Sequence, residues 1–240
     1  PYEGHDLTGA PNILLIVADD MGFTDIGTFG SEIETPQIDA LAAAGVVFSN
    51  FHVAAACAPT RAMLLTGVHN HLAGQGSMIY LAPNQRGQPG YEDRLNDRVV
   101  TVARLLQDAG YHSYMAGKWH LGSKAMQGPP DRGFERSWWL AEGVAPHYSS
   151  DRLIPPHHYF DGLEPTEESV DFFSSDSYTS RLIEFIDGNR DSGRPFFGYL
   201  AFTAPHSPLQ APKELVDKYE PIYARGWDVI RAERYRRLQN

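Results

Sequence analysis

The 240-residue chain has a single cysteine, Cys57, so no intramolecular disulfide can form and the core must hold the fold. It has no apolar run near the roughly 20 residues that span a membrane, no internal repeat and no low-complexity tract. Positive charge is also scarce. Against 30 Asp and Glu stand 20 Lys and Arg, a formal net charge of −10, which argues against a nucleic-acid or membrane-surface binder. Residues 1–11 lack the basic start and apolar stretch of a signal peptide. The chain starts at Pro1, as if an upstream segment had been removed, and the compartment stays open between periplasmic or secreted and cytoplasmic.

Apolar residues make up 42% of the chain, enough for one substantial core. Asn12 to Ala18 is a continuous apolar run and reads as a strand buried on both faces, as in a parallel sheet. Thr35-Pro36 opens a helix with Thr35 as N-cap, and Gly45 can end it. Val46 to Val53 reads as a second strand, and a second helix begins near Pro59. Helical spacing recurs over Val99 to Ala109, stopped by Gly110, and over Ser177 to Ile186. Tyr111 to Ala116 and Phe196 to Phe202 read as strands, and 122–176 as a less regular stretch. Residues 213–240 read as helical, with Arg225, Arg231, Arg234, Arg236 and Arg237 on a solvated face. This alternation predicts an α/β fold with a mostly parallel sheet flanked by helices. Ligands in such sheets bind beyond the carboxyl ends of the strands.

Three strand ends carry groups able to do chemistry. Asp19-Asp20 follows the first strand, Lys118 and His120 follow Tyr111–Ala116, and His206 follows Phe196–Phe202. Adjacent carboxylates suit a hard cation with oxygen ligands, Ca²⁺ or Mg²⁺, although an isolated pair is more often a cap or a turn. Lys118 and His120 would point the same way if their segment is extended, and a cation beside a proton donor suits an anionic group. A lone loop histidine such as His206 is more often a structural hydrogen-bonder. An anionic substrate would in any case need local positive groups to overcome the global charge.

Cys57 lies at or just before the helix opened by Pro59, where exposed N–H groups and the dipole favour negative charge. A small buried hydrophobe is the ordinary alternative. The segment Cys57-Ala58-Pro59-Thr60-Arg61, followed by Thr66-Gly67, resembles the type I sulfatase signature. Asp19-Asp20, Gly117-Lys118-Trp119-His120 and Pro205-His206-Ser207-Pro208 resemble the family's other active-site segments. Within the family the chain looks most like bacterial arylsulfatases, from about residue 11 to its end.

The resemblance implies an alkaline-phosphatase-like sulfatase fold, with residues 1–240 as the N-terminal portion of the catalytic domain and the C-terminal part absent. It implies that a formylglycine-generating maturation enzyme oxidises Cys57, and that Asp19, Asp20 and matured Cys57 bind one Ca²⁺ (Mg²⁺ less readily). Arg61 would hold the nucleophile, Lys118 and His206 would contact the sulfate, and His120 would orient the diol and take its second proton. The substrate would be a small sulfate ester, of aryl type. The family completes its metal site with a later Asp-Asn pair and a later Lys, for which the sequence has no equivalent after His206. Two alternatives stay open: a phosphonate or phosphate ester hydrolase of the same superfamily, or an inactive sulfatase-like fragment that binds anions. His69, His71, His157 and His158 show no spacing that demands a metal. Tyr80, Trp138, Trp139, Tyr148 and Tyr159 are candidates for an aromatic pocket, but read more simply as packing residues.

Overall fold

The structure, a computed structural model, describes residues 7–78, 82–149 and 157–239. Its centre is a six-stranded sheet built from β1 (Ile13–Asp19), β2 (His112–Lys118), β3 (Arg136–Leu140), β4 (Tyr159–Asp161), β5 (Glu164–Thr166) and β6 (Phe196–Pro205). The order is β1-β6-β2-β3-β4-β5. The first four strands in that order run parallel, and β4 and β5 close one edge as an antiparallel hairpin. The expected mostly parallel α/β sheet is therefore present, with β1, β6 and β2 adjacent.

Alternation along the strands sorts side chains onto two faces. On one face Met115, Trp139, Phe197, Tyr199 and Ala201 pack with Ala62 and Leu65 of α2 (Cys57–Thr66) and Ala103 of α3 (Val102–Asp108). On the other, Tyr114, Ala116, Trp138, Leu140 and Leu200 meet Tyr178, Leu182 and Phe185 of α4 (Ser174–Asp187). Trp138, Trp139 and Tyr159 are thus core residues rather than pocket lining. Tyr148 packs on Phe173, and Tyr80 lies outside the described residues.

The contacts divide the chain into two compact units. One comprises residues up to Asp19 and Val53–Pro208, with the whole sheet. The other comprises Asp20–His52 and Leu209–Asn240, with helices α1 (Pro36–Ala44), α5 (Lys213–Tyr223) and α6 (Trp227–Leu238). In this second unit Arg234 bonds Glu32 and Asp25, Tyr223 donates to Glu32, and Lys218 pairs with Glu34. Arg234 is only 21% exposed at its side chain, so the arginines of 213–240 do not all lie on a solvated face. Although burial opposes it, the bonds from Arg234 and Tyr223 hold the Glu32 carboxyl down at about 2.

Several expectations need correction. Val46–Val53 is not a strand; no described residue pairs with it, and β-propensity without a partner makes no ladder. The stretch 122–176, expected to be irregular, holds β3, β4 and β5. The hairpin turns on Gly162-Leu163, with Gly162 at φ 59° in the first central position, where glycine is favoured. Thr35 is the N-cap residue of α1, but its hydroxyl accepts from Gly27 N–H and bonds Asp39 rather than capping its own helix. The helix expected from Val99 starts at Val102, where the Thr101 hydroxyl accepts the Arg104 N–H as an N-cap. β1 has the composition of a strand buried on both faces but lies at a sheet edge, with Leu14 and Ile16 about half exposed. No helix among the described residues is long and apolar enough to cross a membrane.

Gly117, near the end of β2, has φ 114°, and a Cβ there would sit 2.0 Å from the Ala201 carbonyl oxygen of β6. Only glycine lets the two strands approach at this point. Gly117→Ala should cost at least about 3 kcal/mol in urea unfolding. A loss below about 1 kcal/mol would show that the strands can part without consequence.

Candidate active site

The carboxyl ends of β1, β6 and β2 bring together most of the residues singled out in sequence. Cys57 is the first residue of α2, after Ala56, and no side chain caps this helix end. Pro59 fits in the first turn because its position lacks an intrahelical donor role anyway. Arg61 follows one turn after Cys57, so Cys-x-Pro-x-Arg places both side chains on one helix face. Arg61 is buried under the sheet edge. It donates to the Lys118 carbonyl (3.0 Å), the Tyr199 hydroxyl (3.2 Å) and the Phe202 carbonyl (3.3 Å).

Asp19 is the electrostatic hub. Its Oδ2 accepts from Lys118 Nζ at 2.5 Å, and its Oδ1 lies 3.5 Å from Arg61 Nη2. Lys118 is fully buried and Asp19 nearly so. Two cations share one carboxylate, which leaves one net positive charge in a chain of net charge −10. Burial works against the Arg61 charge, yet Tyr199, Asp19 and Cys57 together hold its pKa above the ordinary value. Burial also raises the Tyr199 phenol, which therefore stays protonated beside the guanidinium.

The backbone departs from regular strand where it delivers these groups. β1 is irregular at its end: Val17 pairs with Ala201, and Asp19 with Pro205. Asp20 (φ 63°) and His120 (φ 58°) are both in the left-handed region, sparsely used by residues other than glycine. The segment after Lys118 is thus not extended, and the expectation that Lys118 and His120 point alike by strand alternation fails. Lys118 turns to Asp19, whereas His120 Nδ1 lies 3.3 Å from Cys57 Sγ. Asp20 is exposed and follows Asp19 directly in the chain.

Burial first, then the fields of Lys118 and Arg61, push the His120 pKa down to about 3; Asp19 opposes this and is outweighed. His120 is therefore neutral at neutral pH and can accept a proton. Its ring rests against Gly143, where a Cβ would sit 2.3 Å from Cε1. His206 is partly exposed, with Nδ1 2.6 Å from the Ser207 carbonyl, and it too contributes to the field on His120.

Sequence reasoning missed Tyr199, Gly143 and His147. A tyrosine in a buried strand must find a polar partner, which was a usable signal for Tyr199. His147 is buried and bonds the backbone carbonyl of His206. Gly143 carried no local signal. The other histidines have protein partners: His69 stacks on His71, His157 pairs with Glu168, and His158 with Glu142.

Two outcomes follow for the chain with an unmodified thiol. In an NMR titration His120 should stay neutral to about pH 3; a titration midpoint near 6.5 would refute the positive field. The unfolded chain binds a proton at His120 below about pH 6.5, which the folded chain refuses until about pH 3. Stability from this group is thus present above pH 6.5 and falls as pH drops through that window. Separately, Asp19→Ala leaves two buried cations unpaired and should cost about 3–5 kcal/mol, whereas Lys118→Met leaves Asp19 with Arg61 and should cost less. Equal losses in denaturant melts would contradict a shared carboxylate.

The Sulfatase family profile matches residues 11–239. An uncharacterized sulfatase of Schizosaccharomyces pombe is 44% identical over 238 residues, covering 93% of this chain and 43% of that one. An arylsulfatase of Klebsiella aerogenes is 40% identical over 237 residues, covering 95% of this chain and 50% of its own. The crystal structure of Ps i-CgsB in complex with k-i-k-neocarrahexaose superimposes with a TM-score of 0.76 at 30% identity, over 88% of this chain and 49% of that one. The chain spans about half the length of the curated relatives it matches. With this fold, these segments and a match over nearly its whole length, the chain belongs to the sulfatase family.

Proposed function

We propose that residues 1–240 are the N-terminal portion of the catalytic domain of a sulfuric ester hydrolase, acting on small sulfate esters of aryl type. The observation that carries this reading is the buried Lys118–Asp19–Arg61 cluster beside Cys57. A net positive charge held in a dry site is suited to an anion that forms or leaves there. The aryl preference draws support from the arylsulfatase of K. aerogenes.

In this reading Cys57 is the residue that a formylglycine-generating enzyme matures. As formylglycine it would supply a hydrated aldehyde. One hydroxyl would lose its proton and bond to sulfur as the ester S–O bond breaks and the alcohol leaves with a proton. Loss of the second hydroxyl's proton would then break the C–O bond, so that sulfate leaves as the aldehyde re-forms. The chain's own residues then have defined tasks. Arg61 fixes the nucleophile's helix against the sheet and balances charge. Lys118, buried and bonded to Asp19, acts on the sulfate through its charge, while the partly exposed His206 contacts the sulfate ester on its leaving-group side. Neutral His120, its Nδ1 beside position 57, takes the proton. The sulfated diol carries one negative charge beside Lys118 and Arg61. It offsets part of the field that, after burial, keeps His120 a weak base, so the basicity of His120 rises while this intermediate is bound.

The oxygen donors of Asp19 and, next in the chain, Asp20 fit a hard divalent cation such as Ca²⁺ in kind. They fall short in number: among the described residues no group of three or more His, Cys, Asp or Glu is arranged to hold a metal. Further donors would have to join Asp19, Asp20 and residue 57. A bound Ca²⁺ would supply Lewis-acid polarisation of the sulfate oxygens.

The test is made on the full-length protein co-expressed with the maturation enzyme. Mass spectrometry of the peptide spanning Cys57 should find the aldehyde, and Cys57→Ala should lower 4-nitrophenyl sulfate turnover at least about a thousand-fold. Activity with an unmodified thiol would remove the proposed nucleophile, and faster cleavage of a phosphonate ester would reassign the reaction.

A further inference from the structure

His147 lies in none of the motif segments, yet it is buried and tied to the His206 loop from below. Its Nε2 is 3.1 Å from the backbone carbonyl of His206. Its Nδ1 is 2.7 Å from the Ser174 hydroxyl, at the start of α4, and 3.4 Å from that of Thr203, on β6. The backbone joins the same two segments a second time, because Ser174 N–H donates to the His147 carbonyl at 2.9 Å.

This arrangement fixes the tautomer. A carbonyl oxygen only accepts, so Nε2 must carry the hydrogen given to His206; in the neutral ring Nδ1 then accepts from the Ser174 hydroxyl. The imidazole is a rigid strut with a donor at one end and an acceptor at the other. It spans from the first residue of α4 to the loop that leaves β6. His206 follows the last residue of that strand, and without the strut its loop is held at this side by the turn bond from His206 N–H to the Thr203 carbonyl (3.1 Å). A group meant to meet a reacting oxygen has to be held within a fraction of an ångström, and such support commonly comes from residues that never touch substrate.

We propose that His147, oriented by Ser174, is a positioning residue that sets the place of His206 through its backbone carbonyl. This rests on the reading of His206 as a group that contacts the sulfate ester. The ring acts by donation from the Nε2 position, which distinguishes it from a residue that merely fills space.

The test uses full-length, matured enzyme with 4-nitrophenyl sulfate and two substitutions of opposite reach. The amide of His147→Gln extends to the Nε2 position and can donate to the His206 carbonyl. That of His147→Asn reaches only the Nδ1 position and keeps the Ser174 contact alone. His147→Asn should lower kcat by about ten- to a hundred-fold, with a smaller change in KM, and His147→Gln should recover most of it. A double-mutant cycle with His206→Ala identifies the route: if His147 acts through His206, the double variant His147→Asn/His206→Ala is no slower than His206→Ala alone. Multiplying losses, or equal losses for Asn and Gln, would overturn the positioning role and leave that of His206 intact. If His206→Ala has no effect, the reading of His206 fails and this inference fails with it. Ser174→Ala, a milder change, should give a smaller loss in the same direction; full activity there would rule out Ser174 as the orienting group.

Discussion

A carboxylate shared by two buried cations is the constraint on which the rest of the site depends. Lys118 has no exposed surface and Arg61 almost none, so without Asp19 both would be buried cations with no counter-charge among their bonding partners. Asp19, itself buried at the end of β1, in turn needs their charge to offset its own desolvation. The three come from three different elements, β1, α2 and β2, and their attraction ties these together at one end of the sheet. The remaining positive charge adds to burial in holding the His120 pKa down.

Backbone geometry does the second half of the work. Among the described residues, two of the three other than glycine with positive φ, Asp20 and His120, directly follow or lie two beyond the strand ends that carry Asp19 and Lys118. Each breaks the alternation that would otherwise send successive side chains to opposite faces. Regular strand ends would aim Lys118 and His120 together; the left-handed turn at His120 lets one serve Asp19 and the other Cys57. Gly117 and Gly143 clear the space for this, one against the β6 backbone and one against the imidazole.

Much of this was legible in the sequence, and the part that was not has physical reasons. Apolar runs such as Asn12 to Ala18 and Phe196 to Phe202 announce strands of a parallel sheet, and Asp19, Lys118 and His206 lie at or just past the ends of β1, β2 and β6. Short strands announce themselves poorly. Tyr159–Asp161 and Glu164–Thr166 are three residues each and depend on pairing with β3. Val46–Val53 shows the converse, since propensity cannot supply a neighbour. Exposure of Leu14 and Ile16 on β1 was equally invisible, because periodicity reports what a strand can bury and not whether anything covers it. His147 escaped because its partners, Ser174, Thr203 and His206, lie 27 to 59 residues away.

The neighbour of β1 in the sheet is β6, the last strand among the described residues, and Asp19 is in register with Pro205. A ribosome adding about 5–20 residues per second reaches Pro205 roughly seven to thirty seconds after it completes α2 at Thr66. Throughout that interval α2 has no completed sheet to pack on, and Arg61 lacks both Tyr199 and the Phe202 carbonyl. In the folded chain Arg61 is sealed while Cys57 remains partly open. The topology thus gives the nascent chain a clock: whatever must grip both residues of the motif has until β6 arrives.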